Sequence, residues 1–264
     1  MRSYRMVHRN VYCPNGVELT ALDRGIAAWL WSGRKATLAG HSAAALLGDK
    51  YVPPDAPVEL ARTRRPAARG IFVLSGEFRD DELCEIEGIS CTTPARTAYD
   101  LGRRLKLESG LIRVDSLLHA TKLPKAEVAL IGQRYPGARG IHQFRQTLAL
   151  ADGGAESPQE TRVRLLLVRD GLPRPVTQIP VRNEWGRVVR RIDMGWPEYL
   201  VGVEYDGEHH WTNPDDYAND IERLEFLAAR GWLIVRVSAR QLRYQRAEVL
   251  RRVRDALARR GCPL

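Results

Sequence analysis

Residues Asp193 to His210 read DMGWPEYLVGVEYDGEHH, and this stretch decides the fold of the second half of the chain. One apolar run ends near Asp193-Met194, a turn follows around Trp196-Pro197, and a second run ends in Glu204-Tyr205-Asp206. Side chains alternate faces along a strand, so Glu204 and Asp206 share one face. Pairing of the two runs as a hairpin sets Asp193 opposite them. Three carboxylates then converge beside Gly207, His209 and His210. Crowded like charges are costly without a cation among them, and hard oxygen ligands suit Mg2+ or Mn2+. The expectation is a metal-dependent hydrolase site with Asp193, Glu204 and Asp206 as ligands.

Outward from this stretch, Ser157-Pro158-Gln159-Glu160 is a capping box with proline at the first helical position, and the helix it opens runs to Gly171. Extended runs at 176–181, 188–194 and 199–205 follow, then a helix over 214–230, an apolar strand over 232–237 and a basic helix over 239–260. The order αβββαβα implies an α/β domain, a mixed sheet flanked by helices. The Gly-rich break Asp152-Gly153-Gly154-Ala155 separates it from the first half. There, short strands at 8–12, 58–60 and 71–74 mix with helices at 23–31, 43–47 (Ser42 as N-cap), 92–105, 111–119, 125–135 and 140–151. The expected organisation is an α+β domain over 1–152 and an α/β domain over 155–264.

The net charge of +9 and isoelectric point near 9.7 point to a polyanionic partner. Residues 1–150 carry +7 of that charge and residues 151–264 carry +2, so the first half reads as the general electrostatic grip. Arg62, Arg64 and Arg65, with Arg69 nearby, form a basic loop. Arg251, Arg252, Arg254, Arg259 and Arg260 decorate the last helix. Both groups are candidates for phosphate contact, although for any single arginine a solvated charged face is the better explanation. Cys13, Cys84, Cys91 and Cys262 lack C-x-x-C spacing, which argues against zinc and a disulfide framework and for free thiols in a reducing cytoplasm. No signal peptide is expected from MRSYRMVHRN, and no apolar stretch approaches the roughly 18 residues of a membrane span.

Several of these residues carry a resemblance. Glu156 and Glu160 on a capped helix, isolated Asp193, VEYDG with His210, Asp220 and Arg223, and GWLIVR from Gly231 to Arg236 together resemble the PD-(D/E)xK restriction-endonuclease-like fold. The branch in question is the very-short-patch-repair-like one, and the likeness covers roughly residues 155–260. The first half resembles an AbiEi-type antitoxin or regulator module through HRNVYCPNG, TLAGHSAAALLG and CTTPARTAYDLGRR. Only seven residues precede His8, where that module ordinarily carries a helix-turn-helix, so a complete winged helix is not expected.

The resemblance implies a metal-dependent DNA endonuclease, acting in repair, restriction or phage defence on single- or double-stranded DNA. Asp193 and Glu204 are then metal ligands. Asp206 stands where many members of the fold place lysine, and becomes a further ligand or holds a water. His210, or its neighbour His209, serves as acid or base. Glu160 either caps its helix or supports the metal, and the two roles are compatible. Arg223, three residues from Asp220, either forms a surface ion pair or contacts phosphate, and Trp211 is a candidate for base stacking. A homodimer is compatible with this reading. The alternative is a non-catalytic DNA-binding regulator with a degenerate nuclease domain, and a nuclease directed at RNA is a third reading.

Overall fold

The computed structural model describes residues 3–61, 69–74, 76–207 and 214–264, with side chains of the last stretch described from residue 219 onward. It is a mixed α and β structure in two compact units, Met1–Gly153 and Gly154–Leu264, whose boundary falls inside the Gly-rich break.

The first unit opens with a hairpin of β1 (Tyr4–His8) and β2 (Val11–Pro14), where a single strand over 8–12 was expected. Asn10, with φ +64°, takes the left-handed turn position that asparagine tolerates. Next come α1 (Ala21–Trp31), β3 (Thr37–Leu38), α2 (Gly40–Leu46), β4 (Val58–Ala61), β5 (Ile71–Leu74), β6 (Leu83–Ile86) and β7 (Ile89–Thr92). The helices α3 (Pro94–Arg104), α4 (Leu107–Thr121), α5 (Lys125–Arg134) and α6 (Ile141–Leu150) complete the unit. Strands β5-β4-β3-β7-β6 form one mixed sheet.

Ser42 lies inside α2 and does not cap it. Glu59, buried on β4, does that work from across the fold: its Oε2 accepts from the His41 N–H (2.7 Å) and from His41 Nδ1 (2.9 Å), and it pairs with Arg104. The Ser42 hydroxyl instead accepts from the Glu59 N–H (3.0 Å). Under α3, buried Arg96 bridges Glu82 and Asp100.

The second unit runs α7 (Pro158–Arg169), β8 (Val176–Arg182), β9 (Val188–Trp196), β10 (Val201–Asp206), α8 (Pro214–Ala229), β11 (Leu233–Ser238), α9 (Ala239–Tyr244) and α10 (Arg246–Arg259). One helix was expected after β11 and two are present. Ser238 and Gln241 form a second capping box that opens α9, and Gln245 then leaves helical geometry at φ −133°. The sheet order is β11-β10-β9-β8, with β10 parallel to β11 and the other pairs antiparallel.

Both faces of this sheet are buried. Met194, Val201, Val203, Val235 and Val237 pack with Val163 and Leu167 of α7, Leu242 of α9 and Val253 and Leu257 of α10. Ile179, Val181, Ile192 and Ile234 pack with Phe226 and Leu227 of α8 on the other side.

The β9–β10 ladder is short. It holds at Trp196↔Val201, Gly195↔Gly202 and Met194↔Val203, after which β9 stays with β8 while β10 stays with β11 as far as Asp206↔Ser238. The sheet therefore forks below Met194. The closed end of the fork needs the glycine pair. A Cβ on Gly195 would collide with the Val201 carbonyl, and one on Gly202 would strike Ile192 and Ile234. Gly195→Ala should cost about 1–3 kcal/mol by overpacking, read as lost hydrogen-exchange protection of the β9 and β10 amides. Gly137→Ala, which meets open space, should stay within about 0.5 kcal/mol.

Candidate functional site in the sheet fork

Val203 and Tyr205 face the core shared with α7 and α10, so alternation turns Glu204 and Asp206 toward α8. Asp193 closes the ladder from the opposite strand. The Tyr205 N–H donates to Asp193 Oδ2 at 2.8 Å, so a carboxylate takes over where β9 and β10 part. Gln178 lies between the rungs Thr177↔Met194 and Ile179↔Ile192, hence opposite Asp193. Its φ of +51° is a strained value for a strand residue. Its side-chain amide donates to Glu160 Oε2 at 3.3 Å.

The fork opens into a cleft of about 500 Å³ lined by Asp193, Glu204, Asp206 and Asp220 together with Arg190, Arg223 and Arg236. An alternating chain of charges runs through it. Glu204 Oε1 accepts from Arg223 Nη2 (2.5 Å), Arg223 faces Asp220 (3.7 Å), Asp220 accepts from Arg236 Nη1 (2.7 Å), and Arg236 Nη2 donates to Asp206 Oδ2 (2.6 Å). Arg236 is the direct register partner of Glu204 on β11. Asp220 and Arg223 are thus more than a surface pair.

Three atoms of this wall have no hydrogen-bond partner among the described residues: Glu204 Oε2, Asp206 Oδ1 and Arg190 Nε. Buried polar groups are normally satisfied, so each orphan asks for an explanation. Two carboxylate oxygens and one guanidinium N–H, buried and unpartnered on residues that line one cleft, have the donor and acceptor chemistry for a cation and an oxyanion together. Among the described residues no group of three or more His, Cys, Asp or Glu side chains is arranged to hold a metal ion. Asp193, Glu204 and Asp206 thus line one cleft without forming a three-carboxylate ligand group among the described residues, and Asp206 is paired with Arg236. Mg2+ is commonly held by one or two carboxylates plus substrate phosphate, so two remain a workable donor set.

Burial pushes the carboxyls of this region upward. Glu204, 3% exposed, rises to about 7 through burial, with Arg223 opposing and the Asp193 charge adding. Asp193 is raised by burial against the pull of the Tyr205 N–H. Glu160 is raised to about 7, first by burial, while its hydrogen bond from the Glu156 N–H opposes. Two of these three acids, Asp193 and Glu204, line the cleft, and perturbed acids in a cleft are a mark of functional sites.

Glu160 does not line the cleft. Its N–H donates to the Ser157 hydroxyl (3.2 Å), while its carboxylate accepts from that hydroxyl (2.8 Å) and from the Glu156 N–H (2.9 Å) rather than from the Ser157 N–H, so the expected capping box is only half made. It also holds Gln178 and so ties α7 to β8. His209, His210 and Trp211 lie outside the described residues, as do Arg62, Arg64 and Arg65. Arg69 is exposed. The sequence reading passed over Arg190 as a site residue and placed Arg236 only within a motif. A lone arginine in the apolar strand LIVRVS was the available signal for Arg236.

No family model matches the sequence, and no solved structure matches it. The chain is similar to two uncharacterized proteins of Mycobacterium tuberculosis, one from strain CDC 1551 / Oshkosh and one from strain ATCC 25618 / H37Rv. Each is 30% identical over 177 residues, which is 67% of this chain and 65% of the relative. The match thus spans somewhat less than two thirds of those relatives.

An acid whose folded pKa lies above its unfolded value binds its proton more tightly in the folded chain. The stability that Glu160 and Glu204 contribute is full below pH 4.5 and is lost as pH rises through about 7. Glu204→Gln should flatten that decline, as read from denaturant unfolding at a series of pH values. An unchanged slope would place the decline elsewhere.

Proposed function

We propose that the second unit is a divalent-metal-dependent endodeoxyribonuclease of PD-(D/E)xK type, built on a restriction-endonuclease-like sheet. The observation that carries the reading is that two carboxylate oxygens and one guanidinium N–H, buried and without a partner among the described residues, belong to side chains lining one cleft. A phosphodiester brought in with a cation would satisfy both signs at once.

Asp193 and Glu204 would hold the ion, with Asp206 at the margin. When bound, Mg2+ or Mn2+ supplies Lewis acidity at the scissile phosphate and an activated water. The chain's own residues do the rest. Arg190 offers a donor to a non-bridging phosphate oxygen, and Arg223 and Arg236 bring positive charge to the same wall. They stand in for the lysine that Asp206 replaces. Asp220 orients both guanidiniums, and Glu160 with Gln178 steadies the strand that carries Asp193. Residue 210 as acid or base and Trp211 as a stacking surface remain part of the proposal.

The first unit, rich in positive charge, is proposed to hold DNA through Arg62, Arg64 and Arg65. The whole is placed in the cytoplasm, with a homodimer as the arrangement that would cut both strands. Among the described residues no helix is long and apolar enough to cross a membrane.

A second reading has an observation of its own. Arg223 and Arg236 already engage Glu204 and Asp206, and no three-carboxylate ligand group stands among the described residues. That favours a DNA-binding regulator with a degenerate nuclease unit.

Labelled single- and double-stranded DNA, with RNA alongside, is incubated with the protein in Mg2+, Mn2+ or EDTA. Metal-dependent cutting of DNA is expected. Asp193→Ala and Glu204→Ala should each lower it at least about a hundredfold, the scale of losing one group that stabilises transition-state charge, while binding stays near normal. Binding without cutting in every metal would favour the regulator, and preferential cutting of RNA would move the substrate class.

A further inference from the structure

Asp206 and Arg236 line two cavities. Beyond the fork, the same pair forms one wall of a neighbouring pocket of about 540 Å³, walled elsewhere by Arg240, Gln241, Gln245 and Arg252. The two cavities differ in charge. Four carboxylates face three arginines in the fork, whereas three arginines face the single carboxylate of Asp206 in the second pocket.

That carboxylate is already engaged by Arg236. Arg252 is anchored by donating from Nη1 to the Arg236 carbonyl at 3.0 Å, which fixes a guanidinium at the pocket without consuming its charge. Arg240 is exposed and forms no ion pair among the described residues. By contrast Arg251 and Arg254, on the same α10, are taken up by Glu248, Asp255 and Asp170. Arg240 and Arg252 therefore bring to the pocket that adjoins the fork positive charge not taken up by an ion pair among the described residues.

We infer that the Arg240–Arg252 pocket is an anion subsite that seats a phosphate of the nucleic-acid strand next to the one in the fork. The inference deepens the nuclease proposal and rests on it for the identity of the strand. The occupant is a polynucleotide phosphate because the pocket borders the fork, sharing Asp206 and Arg236 with it, so that successive phosphates of one strand can reach both. Its glutamines and guanidiniums donate to oxyanions without reading bases.

The test uses the full chain and a fluorescein-labelled single strand of about 12 nucleotides, within the span such grooves occupy. Binding is followed by anisotropy in EDTA across a salt series. Arg240→Gln combined with Arg252→Gln should weaken binding about tenfold and make the log–log salt slope shallower by about 0.7, the value for one phosphate contact on a single strand. Arg251→Gln, whose charge is already engaged, should change neither. Equal losses in both variants, no loss in the double variant, or no binding by the unaltered chain would each overturn the subsite.

Cleavage gives the second arm. In Mn2+, the double variant should lose several-fold more kcat/KM on the oligonucleotide than on bis(p-nitrophenyl) phosphate, a single diester too small to span both cavities. A chain that binds through the pocket but cuts neither substrate would sink the nuclease reading and leave the subsite standing. One that cuts both and is indifferent to the double variant would do the reverse.

Discussion

The hydrogen bond from the Tyr205 N–H to Asp193 Oδ2 governs the second unit. It lies where β9 and β10 stop pairing, and it lets two strands separate without leaving a buried backbone donor unsatisfied. Above it the sheet is held shut by the Gly195↔Gly202 rung, which tolerates no side chain. Below it the strands diverge and expose Glu204 and Asp206 to a cleft. Sheet, fork and acidic wall thus follow from one carboxylate placed at the end of a short ladder.

The charges in the fork form a mutually dependent set. Glu204 and Asp206 leave water on β10, and each is met by an arginine from another element, Arg223 on α8 and Arg236 on β11. Asp220 ties the two arginines together. Such pairs recover only part of the desolvation cost, and removing one partner strands the other. Among the described residues the set also stops short of satisfying itself, since one buried oxygen on each carboxylate and one nitrogen on Arg190 have no hydrogen-bond partner. Burial of a polar network left incomplete on both signs makes sense for a cleft that receives a cation–oxyanion pair.

Much of this architecture was readable in the sequence because it rests on local rules. The Ser157 N-cap, the apolar runs on either side of Trp196-Pro197 and the alternation of Val203, Glu204, Tyr205 and Asp206 each follow from nearest neighbours. What was hidden is long-range. Ser42 reads as a cap until Glu59, seventeen residues away, is seen to do that work. Asp206 reads as a ligand, and its ion pair with Arg236, thirty residues on, was not readable from the local pattern. Arg190 is one of several arginines near the β8–β9 turn, and only the cleft singles it out. The β6–β7 hairpin was passed over because its strands are short and its residues half polar.

The central claim is that the fork binds a divalent cation through Asp193 and Glu204, and direct titration with Mn2+ tests it without recourse to activity. Calorimetry or electron paramagnetic resonance on the full chain at neutral pH should show a single saturable Mn2+ site. That site should be lost in Glu204→Gln and retained in Arg251→Gln. Absence of saturable binding into the millimolar range, or binding indifferent to Glu204→Gln, would contradict the account.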